Sequence, residues 1–335
     1  MPCDNRRASA LIIFLLITSF VRSSENQVLV YKKKYIMGTV FEIVAYDQSS
    51  EHATHAIEKA FEQIVRLDDL MSNYKPDSAL SNLNRSAHFH SERVPPDLYR
   101  VIDEAQRFSR LSDGKFDISV APLVNLWKAA LRGEDTPSQA RRKEVRSCVG
   151  YEKIELIPPD EINFRSPCLQ LDLGAIGKGY AVDRAAEVLN SMEIHNALIN
   201  AGGSTIFAMG SPPGQAAWLI HLRDPSNRLG PQVMLKDATV STSEQTAPSF
   251  LGNDSSGHII DPETGMPLKT VFAVSAISTT ATVSDALSTT LLLLGPAKGK
   301  ALIKTMANVS AIWISPDSRV ETVSGGPQIL FGRNF

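Results

Sequence analysis

The stretch Asp172–Asp183, DLGAIGKGYAVD, constrains the fold of this chain more than any other. Gly174, Gly177 and Gly179 fall within six residues, after the apolar segment CLQLDL and ahead of the helix-like run GYAVDRAAEVLNSM. Glycine is costly inside regular structure, so this density marks a sharp bend or a close approach. The pattern predicts a strand-like segment turning into a helix N-terminus, where free N–H groups can face an anion and Lys178 adds positive charge. Two familiar phosphate motifs are excluded. The glycines read G-x-x-G-x-G, the reverse of a dinucleotide fingerprint. Only two residues separate Gly174 from Gly177-Lys178, where a P-loop needs four and then Ser or Thr. A ligand loop and a purely structural turn both remain open on these residues alone.

Along the chain, VLVYKKKYIMGTVFEIVAY alternates on both sides of Met37-Gly38-Thr39, which predicts two strands broken by a turn. Ala56, Ala60, Ile64 and Leu67 recur at helical spacing, giving an amphipathic helix over about 51–70. MSNYKPDSALSNLNR is polar and turn-rich. Pro96 opens a helix that runs to Leu111 and is closed by Ser112-Asp113-Gly114. In DTPSQARRKEVRS, Thr136 is the expected cap, with Pro137 at the first helical position and Gln139 three residues after the cap. Strands are expected around 153–157, 169–173, 197–200, 217–222, 272–277, 311–314 and 320–323. GHIIDPETGMP reads as a strand entering a tight turn at Pro262 and Gly265. A buried helix over 283–294 and a more exposed one over 297–306 complete the reading. Strands and helices come in runs, not strict alternation, which predicts an α+β fold.

With 335 residues, 43% hydrophobic and 21% charged, the chain has ample material for a buried core. A formal net charge of −2 gives no basic face, so nucleic acid is not an expected partner. Lys32-Lys33-Lys34 reads as a solvated strand entry. Near the N-terminus, Arg6-Arg7 precedes an apolar run from about Ala8 to Val21, shorter than the roughly 20 residues a spanning helix needs. Residues 1–24 are therefore expected to be a signal peptide or an N-terminal anchor, cut near Ser23 or Ser24 if cleaved. Residues 25–335 then form one exported domain. Cys148 and Cys168 flank an expected hairpin; an oxidising compartment would allow them to pair, and the residues leave that open.

Two further pieces carry chemistry. In TVSDALSTTLLLLG, Asp285 and Thr289 are four apart and share a helix face. A carboxylate and a hydroxyl are hard-oxygen donors suited to Mg²⁺. Taken alone, the plainer reading is favoured, with Asp285 stabilising the helix N-terminus and Thr289 bonding back to a carbonyl. His258 stands between a strand and a turn. No nucleophile triad and no zinc-type histidine spacing is present.

The order of seven blocks is more specific than any one of them. MGTVFEI, MSNYKPDSALSNLN, GKFDISVAPLVNLW, LDLGAIGKGYAVD, LINAGGSTIFAMG, HIIDPETGMP and SDALSTTLLLLG follow in sequence. Over nearly its whole mature length the chain resembles the ApbE family of FAD:protein FMN transferases. The resemblance implies an ApbE-like, T-fold-like α+β domain with mixed or antiparallel sheets and packed helices. It implies an exported, Mg²⁺-dependent enzyme, periplasmic or attached to the outer face of the inner membrane. Such an enzyme splits FAD and moves FMN onto a threonine of a client redox subunit, releasing AMP. Carried over by position, Met37 and Tyr74 would contact the flavin nucleotide, and Lys115, Phe116 and Asp117 would line the same pocket. Asp172 and Lys178 would hold FAD at the glycine turn, making room for the pyrophosphate. The main-chain oxygen of Ala175 with Asp285 and Thr289 would bind the metal, and His258, Ile259 and Ile260 would lie against the ligand. His258 or Asp285 would take the threonine proton. Two alternatives stay open: an FAD pyrophosphatase giving FMN and AMP, and an exported flavin-binding protein without turnover. The chain departs from the family pattern after ATVSTS, where Glu244 stands in place of the usual glycine.

Overall fold

The computed structural model describes residues 27–131, 136–244, 259–269, 272–326 and 329–331. The expected leader over 1–24 and His258 lie outside the described residues.

The chain opens with a hairpin of β1 (Val28–Ile36) and β2 (Thr39–Asp47), followed by α1 (Ser50–Met71) and α2 (Ala79–Ser86). A two-residue strand β3 (Glu92–Arg93) precedes α3 (Pro96–Leu111), α4 (Ala121–Leu131) and α5 (Gln139–Arg146). Next come β4 (Ile154–Ile157), β5 (Glu161–Phe164) and, after the glycine turn, α6 (Gly177–Ser191). Then β6 (Asn196–Ala201), β7 (Thr205–Met209), β8 (Trp218–His221), β9 (Pro231–Leu235) and β10 (Ala238–Glu244) run in succession. The short β11 (Ile260–Asp261) and β12 (Met266–Pro267) lead to β13 (Ala273–Ser278) and the long helix α7 (Ala281–Ile303). β14 (Ser310–Ile314), β15 (Val320–Ser324) and β16 (Ile329–Phe331) close the chain.

Eight strands form one sheet in the order β1-β2-β6-β7-β10-β13-β14-β15, and each neighbouring pair is antiparallel. Alternation along each strand gives the sheet two buried faces. Phe41, Ile43, Ile199 and Val274 pack on one side against Ile57, Ile64, Ala181, Leu287 and Leu291 of α1, α6 and α7. Val240, Ile277 and Ile312 pack on the other side against Trp218, Ile220, Val233 and Leu235 of the small sheet β16-β9-β8. The result is a three-layer α+β arrangement, as the grouped order of elements predicts.

Local signals explain most elements. Met37 and Gly38, at φ 51° and 73°, make the two-residue turn between Ile36 and Thr39 that suits strand twist. Ser49 caps α1 by accepting from the His52 N–H. α7 is broken at Gly295, whose backbone is not helical (φ 70°, ψ 173°), beside Pro296, so Ala281–Ile303 comprises two helices that meet at a kink, as the sequence predicts.

Two expectations need correction. The cap of α5 is Ser138, whose hydroxyl accepts from the Arg141 N–H, and not Thr136; the helix begins two residues later than the Pro137 signal suggests. Residues 169–173 are not a ladder strand and make only an isolated parallel bridge, Val120 to Gln170. The Leu169 and Asp172 N–H groups donate to the Ser166 and Ile118 carbonyls, and the main-chain groups of Leu171 are satisfied by side chains. Asn73 and Asn84 each donate to the Leu171 carbonyl at 3.0 Å, and the Leu171 N–H donates to Asn84 Oδ1 at 2.7 Å.

Candidate active site

The glycine turn is held from four directions. Asn73 and Asn84 grip Leu171, as above. The Asp172 N–H donates to the Ile118 carbonyl at 2.7 Å, tying the turn to the segment after Phe116. Asp172 Oδ1 accepts from the Gly174 N–H at 2.7 Å, and Lys178 Nζ donates to the Gly174 carbonyl at 3.2 Å, so the loop is closed by its own ends. α6 starts at Gly177 with no side-chain cap. Its third residue supplies the fourth hold, because the Gly179 N–H donates to Asp285 Oδ2 at 2.8 Å.

That last bond joins two sequence features 106 residues apart, the glycine turn and the acid-plus-hydroxyl face of α7. Asp285 is buried, at 5% exposure, and Oδ2 is engaged by Gly179 while Oδ1 has no hydrogen-bond partner among the described residues. Thr289, one turn on and half-buried, lies 3.0 Å from Ser243 Oγ, which also meets Ser288 Oγ at 2.7 Å. Met37 reaches the same corner: a Cβ on Gly177 would stand 3.8 Å from its Cε. Met37, Asp172, Ala175, Lys178, Asp285 and Thr289 therefore belong to one neighbourhood.

Gly179 itself does not leave room for a ligand. A Cβ there would meet the Ala281 carbonyl oxygen at 2.2 Å and Asp285 Cβ at 2.7 Å, so this glycine admits helix α7. Gly174 and Gly177 are the members of the trio not spent on helix packing. For Gly177 the nearest neighbours of a Cβ would be at ordinary contact distance.

The donor set fits a hard divalent cation. Among the described residues no three His, Cys, Asp or Glu side chains gather as a cage. A carboxylate oxygen, a threonine hydroxyl and the Ala175 carbonyl are all oxygen donors, and Mg²⁺ takes one or two carboxylates with phosphate and water completing its shell.

A second cluster lies beside this corner. A cavity of about 690 Å³ is lined by Gly114, Lys115, Asp117, Tyr151, Glu263 and Lys298. Lys115 Nζ sits 3.2 Å from Asp261 and 2.6 Å from Glu263. Burial works against its charge, but the two carboxylates more than compensate and raise its pKa. Asp117 accepts from the Ser119 N–H at 2.8 Å and the Tyr151 N–H at 2.9 Å. Burial nevertheless pushes its carboxyl up to about 6. Leu294 of α7 is another wall of this cavity, five residues after Thr289, or about 7.5 Å along the helix.

The remaining expected residues are placed differently. Tyr74 is 81% exposed and its hydroxyl accepts from Lys128 Nζ at 2.8 Å. Phe116 is in the core against Phe108, with 1% exposure, so its ring offers no surface to a ligand and only its main chain could. Ile260 is likewise buried, among Leu123, Trp127, Val145 and Val149, while Ile259 packs half-buried on the main core. Glu244 ends β10 and pairs with Arg223. Cys148 and Cys168 form a disulfide. Sequence reasoning missed Asn73, Asn84, Ser243 and Lys298. The two asparagines stood in a quoted block, and what gave them no role was that their partner is main chain.

The description "ApbE family" belongs to the family model that matches residues 37–313. An FAD:protein FMN transferase of Haemophilus influenzae is 31% identical over 294 residues, covering 83% of this chain and 84% of its own. One of Treponema pallidum is 29% identical over 315 residues, covering 88% and 86%. Among solved structures, the flavin transferase ApbE from Vibrio cholerae superposes with a TM-score of 0.75 at 26% identity, over 92% of this chain and 98% of that one. The apo form of the Pseudomonas stutzeri flavinyl transferase ApbE gives 0.77 at 25% identity, over 89% and 96%.

Proposed function

We propose, since this chain belongs to the ApbE family, that it transfers FMN from FAD to a client protein. The acceptor is a threonine hydroxyl of an exported redox subunit and the leaving group is AMP. The client oxygen forms a new bond to the FMN phosphorus, the pyrophosphate P–O bond breaks, and AMP leaves with the bridging oxygen. The chain need not provide a nucleophile, which agrees with the absence of a triad in its sequence.

What supports this reading is the bond between the Gly179 N–H and Asp285. It brings the anion-facing start of α6 and the acid-plus-hydroxyl face of α7 to one place. Bound between Ala175, Asp285 and Thr289, Mg²⁺ would neutralise diphosphate charge. The residues of the chain do the rest. The N–H groups of Ile176, Gly177 and Gly179 are bonded to Leu173 and Asp285, which leaves the Lys178 N–H and its ammonium to meet a phosphate oxygen at the start of α6. The neighbouring cavity has a mixed polar lining, Lys115 and Lys298 beside Asp113, Asp117, Glu152 and Glu263, with donors and acceptors suited to the base and ribose of a nucleotide. His258 or Asp285 accepts the threonine proton.

Export is supported by Arg6-Arg7 with the apolar run that follows, and by the Cys148–Cys168 disulfide, which suits an oxidising compartment. The test is to incubate the protein with FAD, Mg²⁺ and a threonine-bearing client domain. A client heavier by one FMN, only when Mg²⁺ is present, supports transfer. Free FMN with an unmodified client would instead support hydrolysis, and bound flavin with no cleavage would support a binding protein.

A further inference from the structure

We infer that Asp183 is a positioning residue: it sets how α7 presents Asp285 and Thr289 to the glycine turn. This rests on the metal reading above for its consequence, though not for its geometry.

α7 makes no cap of its own, since Thr280 at its N-cap forms no side-chain hydrogen bond. The cap comes from α6. Asp183 Oδ1 accepts from the Ala281 N–H at 2.7 Å, and Oδ2 accepts from the Thr282 N–H at 2.8 Å and the Thr282 hydroxyl at 2.5 Å. A carboxylate at this end also meets the positive pole of the helix.

The contact is one half of a reciprocal pair. Gly179 and Asp183 are one turn apart on α6, and Ala281 and Asp285 are one turn apart on α7. α6 donates an N–H to the acid of α7 at the first level, and α7 donates two N–H groups to the acid of α6 at the second. Both locks must be satisfied at once, so neither sliding nor rotation of α7 is free. A slip of one turn, about 5.4 Å, would lose all of these bonds. Because Asp285 serves both as lock and as expected ligand, Asp183 is the lock that stays in place when Asp285 is engaged.

The test uses Mn²⁺ in place of Mg²⁺, with FAD present, and reads binding by electron paramagnetic resonance. Amide exchange of the metal-free protein is measured beside it. Asp183→Asn offers one acceptor oxygen and turns an NH₂ toward an N–H donor. It should weaken Mn²⁺ about 10–100-fold, the range found when groups that orient metal ligands are changed. Exchange should rise at Ala281 and Thr282 and also at Gly179, whose N–H the Asp183 side chain does not touch. Thr282→Val removes one donor of three and should weaken Mn²⁺ about two- to fivefold; it carries the test if D183N does not fold. Mn²⁺ affinity unchanged in the folded variants, with Gly179 exchange also unchanged, overturns the proposal. Asp285→Asn is run alongside. If D285N binds Mn²⁺ like the wild type, the metal reading falls, and the Gly179 exchange in D183N still decides whether Asp183 positions α7.

Discussion

The α-carbon of Gly179 approaches Ala281 so closely that a methyl group on it would stand 2.2 Å from the Ala281 carbonyl oxygen. This places the first turn of α6 against the first turn of α7, and it is the reason a glycine is needed there. The obstacle is backbone, which cannot rotate away as a side chain could.

Gly179→Ala is therefore expected to cost at least about 3 kcal/mol and to abolish FMN transfer, because α7 must move to admit the methyl. Gly177→Ala is the control. Its new Cβ would lie 3.7 Å from Leu173 and 3.8 Å from Met37, ordinary contacts, and alanine suits a helix better than glycine. Thermal melts should separate the two variants clearly. Equal melting temperatures would mean that the helices do not meet as closely as described.

The observed bond from Gly179 and the proposed metal ligation by Asp285 are pulled apart by different substitutions. Asp285→Asn keeps an oxygen to accept from the Gly179 N–H but removes the charge, so stability should hold while transfer falls about 100-fold or more. Asp285→Ala also leaves a buried N–H unpaired, adding about 1–3 kcal/mol of destabilisation. Urea melts and Mg²⁺ titrations of transfer rate measure the two effects. An unchanged Mg²⁺ requirement in D285N would remove Asp285 from the metal site.

The parts of this fold that were legible in the sequence are those where one segment decides its own structure. The β1–β2 hairpin declares itself by alternation around Met37-Gly38, and the break in α7 by Gly295-Pro296. β10 does not declare itself, because its helix-facing side chains are polar, Thr239 and Ser241 buried and Ser243 half-buried. They pair with Ser284, Ser288 and Thr289 of α7, a satisfaction that composition cannot reveal. The opposite error occurs at residues 169–173, apolar enough for a strand but anchored through Leu171 to two asparagine side chains. The glycine turn lies between these cases. Its density signals a close approach, but nothing in DLGAIGKGYAVD says that the approaching body at Gly179 is a helix 106 residues onward. The site was thus readable as separate pieces and through resemblance, while the bonds that join them were not.

Asp117 makes stability depend on pH in a defined window. Its carboxyl ionises near 3.8 in an unconstrained chain and near about 6 when folded, because burial outweighs the two N–H groups that donate to it. Between those values the folded state holds the proton more tightly than the unfolded state. The stability from this residue is fully present below about pH 4 and is lost as pH rises through about 6. That loss amounts to about 3 kcal/mol. Asp117→Asn carries no such titration, so the unfolding free energy of the variant relative to wild type should improve by about this amount from pH 4 to pH 7. A difference that stays flat across the window would show that burial does not govern this carboxyl.

The disulfide between Cys148 and Cys168 closes a separation of 20 residues, which in the unfolded chain is worth about 3 kcal/mol. Inside that loop lies Tyr151, whose N–H donates to Asp117 and whose carbonyl accepts from Gln106 Nε2 at 2.8 Å. Val149, Gly150, Tyr151 and Glu152 together wall the cavity that holds Lys115. Asp285 and Thr289 are held by a different set of bonds, to Gly179 and Ser243. Replacing both cysteines by serine should therefore lower stability by about 3 kcal/mol and raise KM for FAD more than it lowers kcat. Chemical denaturation and steady-state kinetics of the double variant measure both. A collapse of kcat at unchanged KM would place the nucleotide elsewhere than against this wall, since loosening the wall can weaken only what rests on it.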